Sequence, residues 1–121
     1  MAHTIAPHND LVMRVNYSGA IDYRERCETL VAAAEMMARL GYTRLLVDFT
    51  RATVFDEGHG SSADYISRVI TAPWPKRTRI APLNAPVFAV QAGRIAGSVV
   101  GLVVESFDSE QLALDWLSAT H

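Results

Sequence analysis

Cysteine is almost missing from this chain of 121 residues. The single Cys27 has no partner for an internal disulfide and fits a reducing compartment, so a cytoplasmic location is expected. It sits among apolar residues on a predicted helix, where a buried, inert thiol is the expectation. Lysine is as scarce: Lys76 is the one lysine among eleven basic residues, and the rest are Arg. Two explanations stand, the codon bias of a GC-rich genome and a use for the forked contacts that guanidinium makes with carboxylate or phosphate. An excess of one charge is also lacking. A net charge of -2 draws no polyanion, which gives nucleic-acid binding no support.

Neither a leader nor a membrane span is expected from these residues. The opening Met-Ala-His-Thr-Ile-Ala-Pro-His has no basic start followed by a long apolar run, so it does not read as a signal peptide. Ala85 to Val104 approaches the ~20 residues that cross a bilayer. Arg94 lies at its middle, however, where a charge costs ~2.5–3.5 kcal/mol on insertion. Gln91 and the glycines at 93, 97 and 101 weaken a span further, and a soluble helix followed by a buried strand is expected instead.

What remains is the balance of a globular protein: 50% of the residues are hydrophobic and 20% charged, too apolar for a disordered chain. No repeat or linker divides it, so residues 1–121 are expected to form one domain. His3 to Ala6 reads as an edge strand, turned at Asn9-Asp10 into a second strand over Leu11–Tyr17. From Met13 onward that strand alternates, with Met13, Val15 and Tyr17 on one side and Arg14 and Asn16 on the other. Asp22 and Glu25 have the spacing of a capping box. They open a helix whose apolar stripe is Cys27, Leu30, Val31, Ala34, Met37 and Ala38, closed by Gly41. The near-continuous apolar run Leu45–Phe49 predicts a central strand buried on both faces, parallel to a neighbour. A loop over Thr50–Gly60 follows, then a helix capped by Ser61 with Asp64, using Tyr65, Ile66, Val69 and Ile70 and stopped by Pro73-Trp74-Pro75.

Arg79–Leu83 is a candidate strand interrupted by Pro82. The next segment, 85–99, has two readings: a helix started by Asn84 and Pro86 and using Val87, Phe88, Gln91, Ile95 and Val99, or a strand at Val87–Val90. Gly101–Phe107 reads as a strand, and Asp108 with Gln111 caps a last helix with Ala113, Trp116 and Leu117 inward. The order β-β-α-β-α-β-α-β-α predicts an α/β fold, a mixed, mostly parallel sheet of four or five strands covered by about four helices.

Several segments carry a family resemblance. The hairpin ending in Gly19, the long helix after it, Arg44-Leu45-Leu46-Val47-Asp48-Phe49 and the loop beyond resemble the STAS domain, the sulfate-transporter and anti-sigma-factor-antagonist fold. The ending Glu105-Ser106-Phe107-Asp108-Ser109-Glu110 with Ala113 and Trp116-Leu117 is similar to the small stand-alone SpoIIAA-like proteins, which share a fold resemblance with CRAL-TRIO lipid-binding domains. The resemblance implies a non-enzymatic regulatory module that works by binding. It also implies a place for the phosphoacceptor of anti-sigma antagonists, whose Asp-Ser-Ser-Gly falls on Asp56-Glu57-Gly58-His59. The acceptor position is then Gly58, which has no hydroxyl to phosphorylate.

The best candidate site is the segment after the central strand: Asp48, Thr50, Arg51, Asp56, Glu57, Gly58, His59, Ser61 and Ser62. It leaves the carboxyl end of a strand and enters a helix N-terminus, where open α/β sheets bind ligands and free N–H groups favour anions. The alternative is a plain connecting loop. A metal on Asp56, Glu57 and His59 lacks the spaced pairing of a dedicated site. A Ser61–His59–Asp56 triad draws its members from one segment, whereas triads draw them from separate elements, and there is no Gly-x-Ser-x-Gly elbow. No catalytic residue, metal or cofactor is therefore expected, and a hydrolase or metal enzyme is the weakest reading. Gly93, Gly97 and Gly101 recur every four residues, as packing against the core or as a homodimer face. The basic-aromatic turn of Trp74, Lys76, Arg77 and Arg79 is too small for nucleic acid. The partner is then another protein, or else a small apolar or anionic ligand. A lipid or small-molecule carrier needs ~300 Å³ of open pocket between sheet and helices, which Met37, Phe49, Phe55, Phe88 and Trp116 are large enough to fill.

Overall fold

The computed structural model describes residues 2–55 and 58–119, with His59 described by its backbone alone. Its elements are β1 (His3–Pro7), β2 (Val12–Ile21), α1 (Tyr23–Leu40), β3 (Arg44–Val54), α2 (Gly58–Ile70), β4 (Arg79–Leu83), α3 (Val87–Val100), β5 (Val103–Val104) and α4 (Glu110–Ser118). This is the alternation predicted from the sequence. The β1–β2 hairpin turns on Asn9, whose Oδ1 accepts from the backbone N–H groups of Leu11 and Val12, both at 2.8 Å. The strands form one sheet in the order β1-β2-β3-β4-β5, antiparallel between β1 and β2 and parallel elsewhere.

Because the strand order never reverses, crossovers of one hand all fall on the same face of the sheet. Residues of α1, α2 and α3 pack there on Met13, Val15, Tyr17, Leu45, Val47, Phe49 and Ile80. The opposite face is narrower. Val12, Leu46, Ala81 and Leu83 lie beneath Ala113 and Leu117 of α4. Alternation along β2 and β3 thus feeds two cores, and Leu45–Val47 is buried on both sides, as its apolar run predicts.

Several boundaries differ from the sequence reading. β3 does not end at Phe49. Arg51, Ala52, Thr53 and Val54 pair with Ser18, Gly19, Ala20 and Ile21 beyond a bulge in β3, so the first half of the expected loop is strand. α2 starts at Gly58, where φ of 86° suits a residue without Cβ; Ser61 and Asp64 therefore lie inside the helix, and Asp64 pairs with Arg68 at 3.1 Å. Of the two readings of 85–99 the helix holds, over Val87–Val100, but the apolar set that suggested it is not the buried one. Ala89, Val90, Ala92, Ala96 and Gly97 face inward, while Val87, Gln91, Ile95 and Val99 are exposed and Phe88 is half-buried. Small residues win the inward side because α3 sits close on β5: a Cβ on Gly97 would stand 3.1 Å from the Leu102 carbonyl oxygen and 3.2 Å from Val104 Cγ2. That contact assigns Gly97 to packing within the chain, and Gly101 is the left-handed cap of α3 with φ of 79°.

β5 is two residues long where Gly101–Phe107 was expected. Arg79 N–H donates to Thr43 on the β3 side, so the N–H groups of residues 80 and 82 point toward β5. Pro82 has none to donate, and regular pairing stops until an isolated bridge joins Leu83 to Phe107. The α4 cap is Ser109, not Asp108: its Oγ accepts from Leu112 N–H at 3.3 Å. In α1 Asp22 Oδ1 accepts from Glu25 N–H as predicted, while Glu25 Oε2 meets His3 Nδ1 of β1. The inward stripe of α1 takes in Arg26, Thr29 and Ala33 and leaves Ala38 exposed.

Candidate functional site

α4 covers only part of its face of the sheet. Two residues beyond the buried Val12 and Leu46, the same face presents Arg14 on β2 and Asp48 on β3 to an open polar cleft of about 780 Å³. Arg14 Nη2 donates to Asp48 Oδ2 at 2.7 Å and to Glu110 Oε1 of α4 at 2.8 Å, and its Nε donates to Asn16 Oδ1 at 2.8 Å. Asp48 Oδ1 accepts from the N–H and the hydroxyl of Thr50, and Thr50 Oγ1 accepts from Asn84 Nδ2 at 2.9 Å. Asn84 holds its place in the left-handed region, φ 56°, while its N–H donates to the Phe107 carbonyl. Strands β2 and β3, the residue after β4 and the N-terminus of α4 therefore converge on one network at the carboxyl edge of the sheet, in which a single guanidinium serves two carboxylates.

Burial by itself would raise the Asp48 carboxyl, but the hydrogen bonds from Thr50 and Arg14 outweigh it and hold the group below the usual carboxylate range. Glu110 is lowered as well, first by its hydrogen bond from Arg14, and Arg14 is raised, first by that same bond. Arg14, Asp48 and Glu110 are thus all charged at neutral pH. His3, His8, Ser18 and Arg51 are also among the residues of its wall.

A second concavity lies on the helical face. Gly58, Ser62 and Ile66 of α2 and Phe88, Gln91, Ala92 and Ile95 of α3 line a groove of about 320 Å³, and Phe55 stands exposed just before α2. Arg26 of α1 is buried, with Cζ 4.8 Å from the centre of the Tyr65 ring and 5.8 Å from that of Phe88. Its Nε and Nη1 have no hydrogen-bond partner among the described residues. Burial pushes the Tyr65 phenol up to about 12.

The residues singled out by the sequence therefore divide. Asp48, Thr50 and Arg51 are in the polar cleft, Gly58 and Ser62 line the groove, and Ser61 is in the first turn of α2. Asp56, Glu57 and the side chain of His59 lie outside the described residues, and with them the considered metal set and triad. Among the described residues no three His, Cys, Asp or Glu gather closely enough to hold a metal ion. Arg14, Asn84, Glu110, Arg26 and Phe88 were not in the sequence-based set. For Arg14 a signal existed, a long cation in an alternating strand opposite a core residue; for Glu110 and Asn84 nothing local marks the convergence.

Between the sheet and α1–α3 the apolar space amounts to about 40 Å³, lined by residues such as Phe49, Tyr65, Val69 and Ala89. Met37 and Phe49 fill that core, whereas Phe55 is exposed and Trp116 lies on the other face against Phe107, ring centres 5.7 Å apart. Among the described residues no helix is long and apolar enough to cross a membrane.

No family model and no curated protein sequence matches the chain. Solved structures do. The anti-sigma factor antagonist SpoIIAA in its unphosphorylated form superposes with a TM-score of 0.55 at 16% identity, over 96% of this chain and 97% of that one. The fold is SpoIIAA-like. A protein of the DUF3478 family with a SpoIIAA-like fold, from Shewanella loihica, gives a TM-score of 0.58 at 19% identity, covering 96% of this chain and 92% of its own. The phosphorylated form of SpoIIAA, a Bacillus cell fate determinant, gives 0.52 at 16% identity, covering 96% and 99%. Identities this low carry the SpoIIAA-like architecture and leave function to the residues themselves.

Proposed function

We propose that residues 1–121 act as one STAS-type binding module of the bacterial cytoplasm, non-enzymatic, which docks a protein partner at the groove between α2 and α3. The observation that carries this reading is the groove itself. It opens beside the first turn of α2 and is walled by Ile66, Phe88 and Ile95, with exposed Phe55 nearby and a polar contact at Ser62. Apolar walls with a polar rim suit a protein side chain better than a soluble metabolite. With Gly58 at the start of α2 there is no hydroxyl at the position where the resemblance sets the phosphoacceptor, so binding here is constitutive rather than switched at that residue. The apolar space under the sheet, about 40 Å³, is far below the ~300 Å³ that a carrier requires.

Affinity capture from extracts of the source cells, comparing wild type with Ser62→Arg and Asp48→Asn, tests the reading. A protein captured by wild type and Asp48→Asn but lost with Ser62→Arg supports it. Native mass spectrometry of the chain purified from its own cells supplies the opposing outcome. A small-molecule adduct that disappears on denaturation makes the chain a carrier and ends the proposal.

A further inference from the structure

α3 is the least charged helix of the chain, with Arg94 as its one charged residue between Val87 and Val100. Its inward side is apolar, and so is its outward side. Val87, Ile95 and Val99 are 71%, 54% and 62% exposed, with Gln91 and Ser98 as the polar residues among them. A helix on a protein surface ordinarily turns charged residues to water, and one that is apolar all round is covered all round. Within the chain α2 covers one flank of α3 and β5 its base, which leaves the stripe through Ile95 and Val99 bare.

The charges beside the stripe identify what covers it. Arg94 Nη2 stands 3.9 Å from Glu105 Oε1, and each side chain is about half exposed. A charge-assisted hydrogen bond closes to ~2.7–2.9 Å, so both groups remain available to another partner. We infer that a second copy of this chain covers the outward face of α3, with the two α3 helices packed across a two-fold axis. In an isologous contact residue i meets j while j meets i. A face with one cation and one anion beside an uncharged stripe is then complementary to itself, Arg94 reaching Glu105 of the partner subunit on either side of the axis. A partner of single charge would leave one of the two groups opposed by like charge. An anionic membrane surface would meet Glu105 and a chain of net charge -2.

Sedimentation equilibrium of the full chain over a concentration series, with circular dichroism as the check on folding, tests this. The expected wild-type mass is twice 13.3 kDa. Val99→Glu is expected to sediment as a monomer. Arg94→Glu is expected to weaken association ~tenfold or more, and the double swap Arg94→Glu/Glu105→Arg to restore it. A wild type that is monomeric throughout overturns the inference, as does a dimer indifferent to Val99→Glu and Arg94→Glu, or a double swap that fails to rescue. Gln91 and Ile95 of this stripe also line the α2–α3 groove, so a second copy and a partner docked there compete for them. Val99 and Arg94 do not line the groove, so loss of the dimer with Val99→Glu and loss of partner capture with Ser62→Arg are separate results.

Discussion

Arg14 on β2 and Asp48 on β3 lie 34 positions apart and meet at 2.7 Å on the part of the sheet that α4 leaves uncovered. The same Arg14 nitrogen reaches Glu110, so one guanidinium ties two strands to the start of the last helix. The sequence singles out Asp48 as a candidate site residue, but nothing in it joins Asp48 to Glu110. Parallel pairing sets Arg14 against Leu46 and Asn16 against Asp48, and the long arginine side chain closes the remaining step.

Removing the Asp48 charge tests that tie. Asp48→Asn is expected to lower stability by about 1.5–3 kcal/mol at neutral pH, the range for a hydrogen bond to a charged group. Asp48 and Glu110 titrate below their ordinary range when folded. Their contribution is therefore complete above the unfolded carboxylate range and fades as pH falls through the lowered values. Urea denaturation at neutral and at acid pH should show the gap between wild type and variant closing as the solution is acidified. A constant gap would mean that the charge is irrelevant.

The glycines of α3 make opposite predictions. A Cβ on Gly97 meets a backbone oxygen at 3.1 Å that has little room to give, whereas one on Gly93 meets only Val104 Cγ1 at 3.9 Å. Gly97→Ala is expected to destabilise by about 1–3 kcal/mol through overpacking. Gly93→Ala should stabilise by roughly 0.5–1 kcal/mol through helix propensity. Thermal melts of the two single variants decide it; a shift of the same sign in both contradicts the close approach of α3 to β5.

Arg26 is 5% exposed, and two of its nitrogens have no partner among the described residues. The faces of Tyr65 and Phe88 offset part of the cost of burying it. Arg26→Met keeps the length of the side chain and discards the charge, so stability should hold or rise by about 1 kcal/mol. A loss beyond about 2 kcal/mol in chemical denaturation would show that the rings hold the guanidinium more strongly than desolvation opposes it.

Cys27 is buried, and burial pushes its thiol up. Its reaction with a thiol-specific disulfide reagent should be slow in the folded chain and immediate in urea. Rapid labelling without denaturant would mean that α1 opens easily.

Legibility from sequence followed the range of the interaction. The α1 caps could be read because Asp22 and Gly41 act through neighbours in the chain, and the burial of Leu45–Val47 because an unbroken apolar run has few other homes. Residues 50–54 were misread because their pairing comes from β2, more than thirty positions away, and not from any local pattern. The α3 segment shows the limit clearly. Val87, Ile95 and Val99 repeat at helical spacing, as do Ala89, Ala92 and Ala96, and periodicity has no means of saying which set faces the sheet.

The sequence by itself determined the order of elements, the α/β class and the two caps of α1, because period, capping and turn chemistry act over a few residues. Only the tertiary structure decided which side of α3 is inward, that Asp48 and Glu110 share Arg14, and that β3 and the segment after it line two separate concavities. Those outcomes depend on how closely distant backbones approach and which side chains fit the gap. At Gly97 that is a matter of tenths of an ångström, set by β5 and not by the helix that carries it.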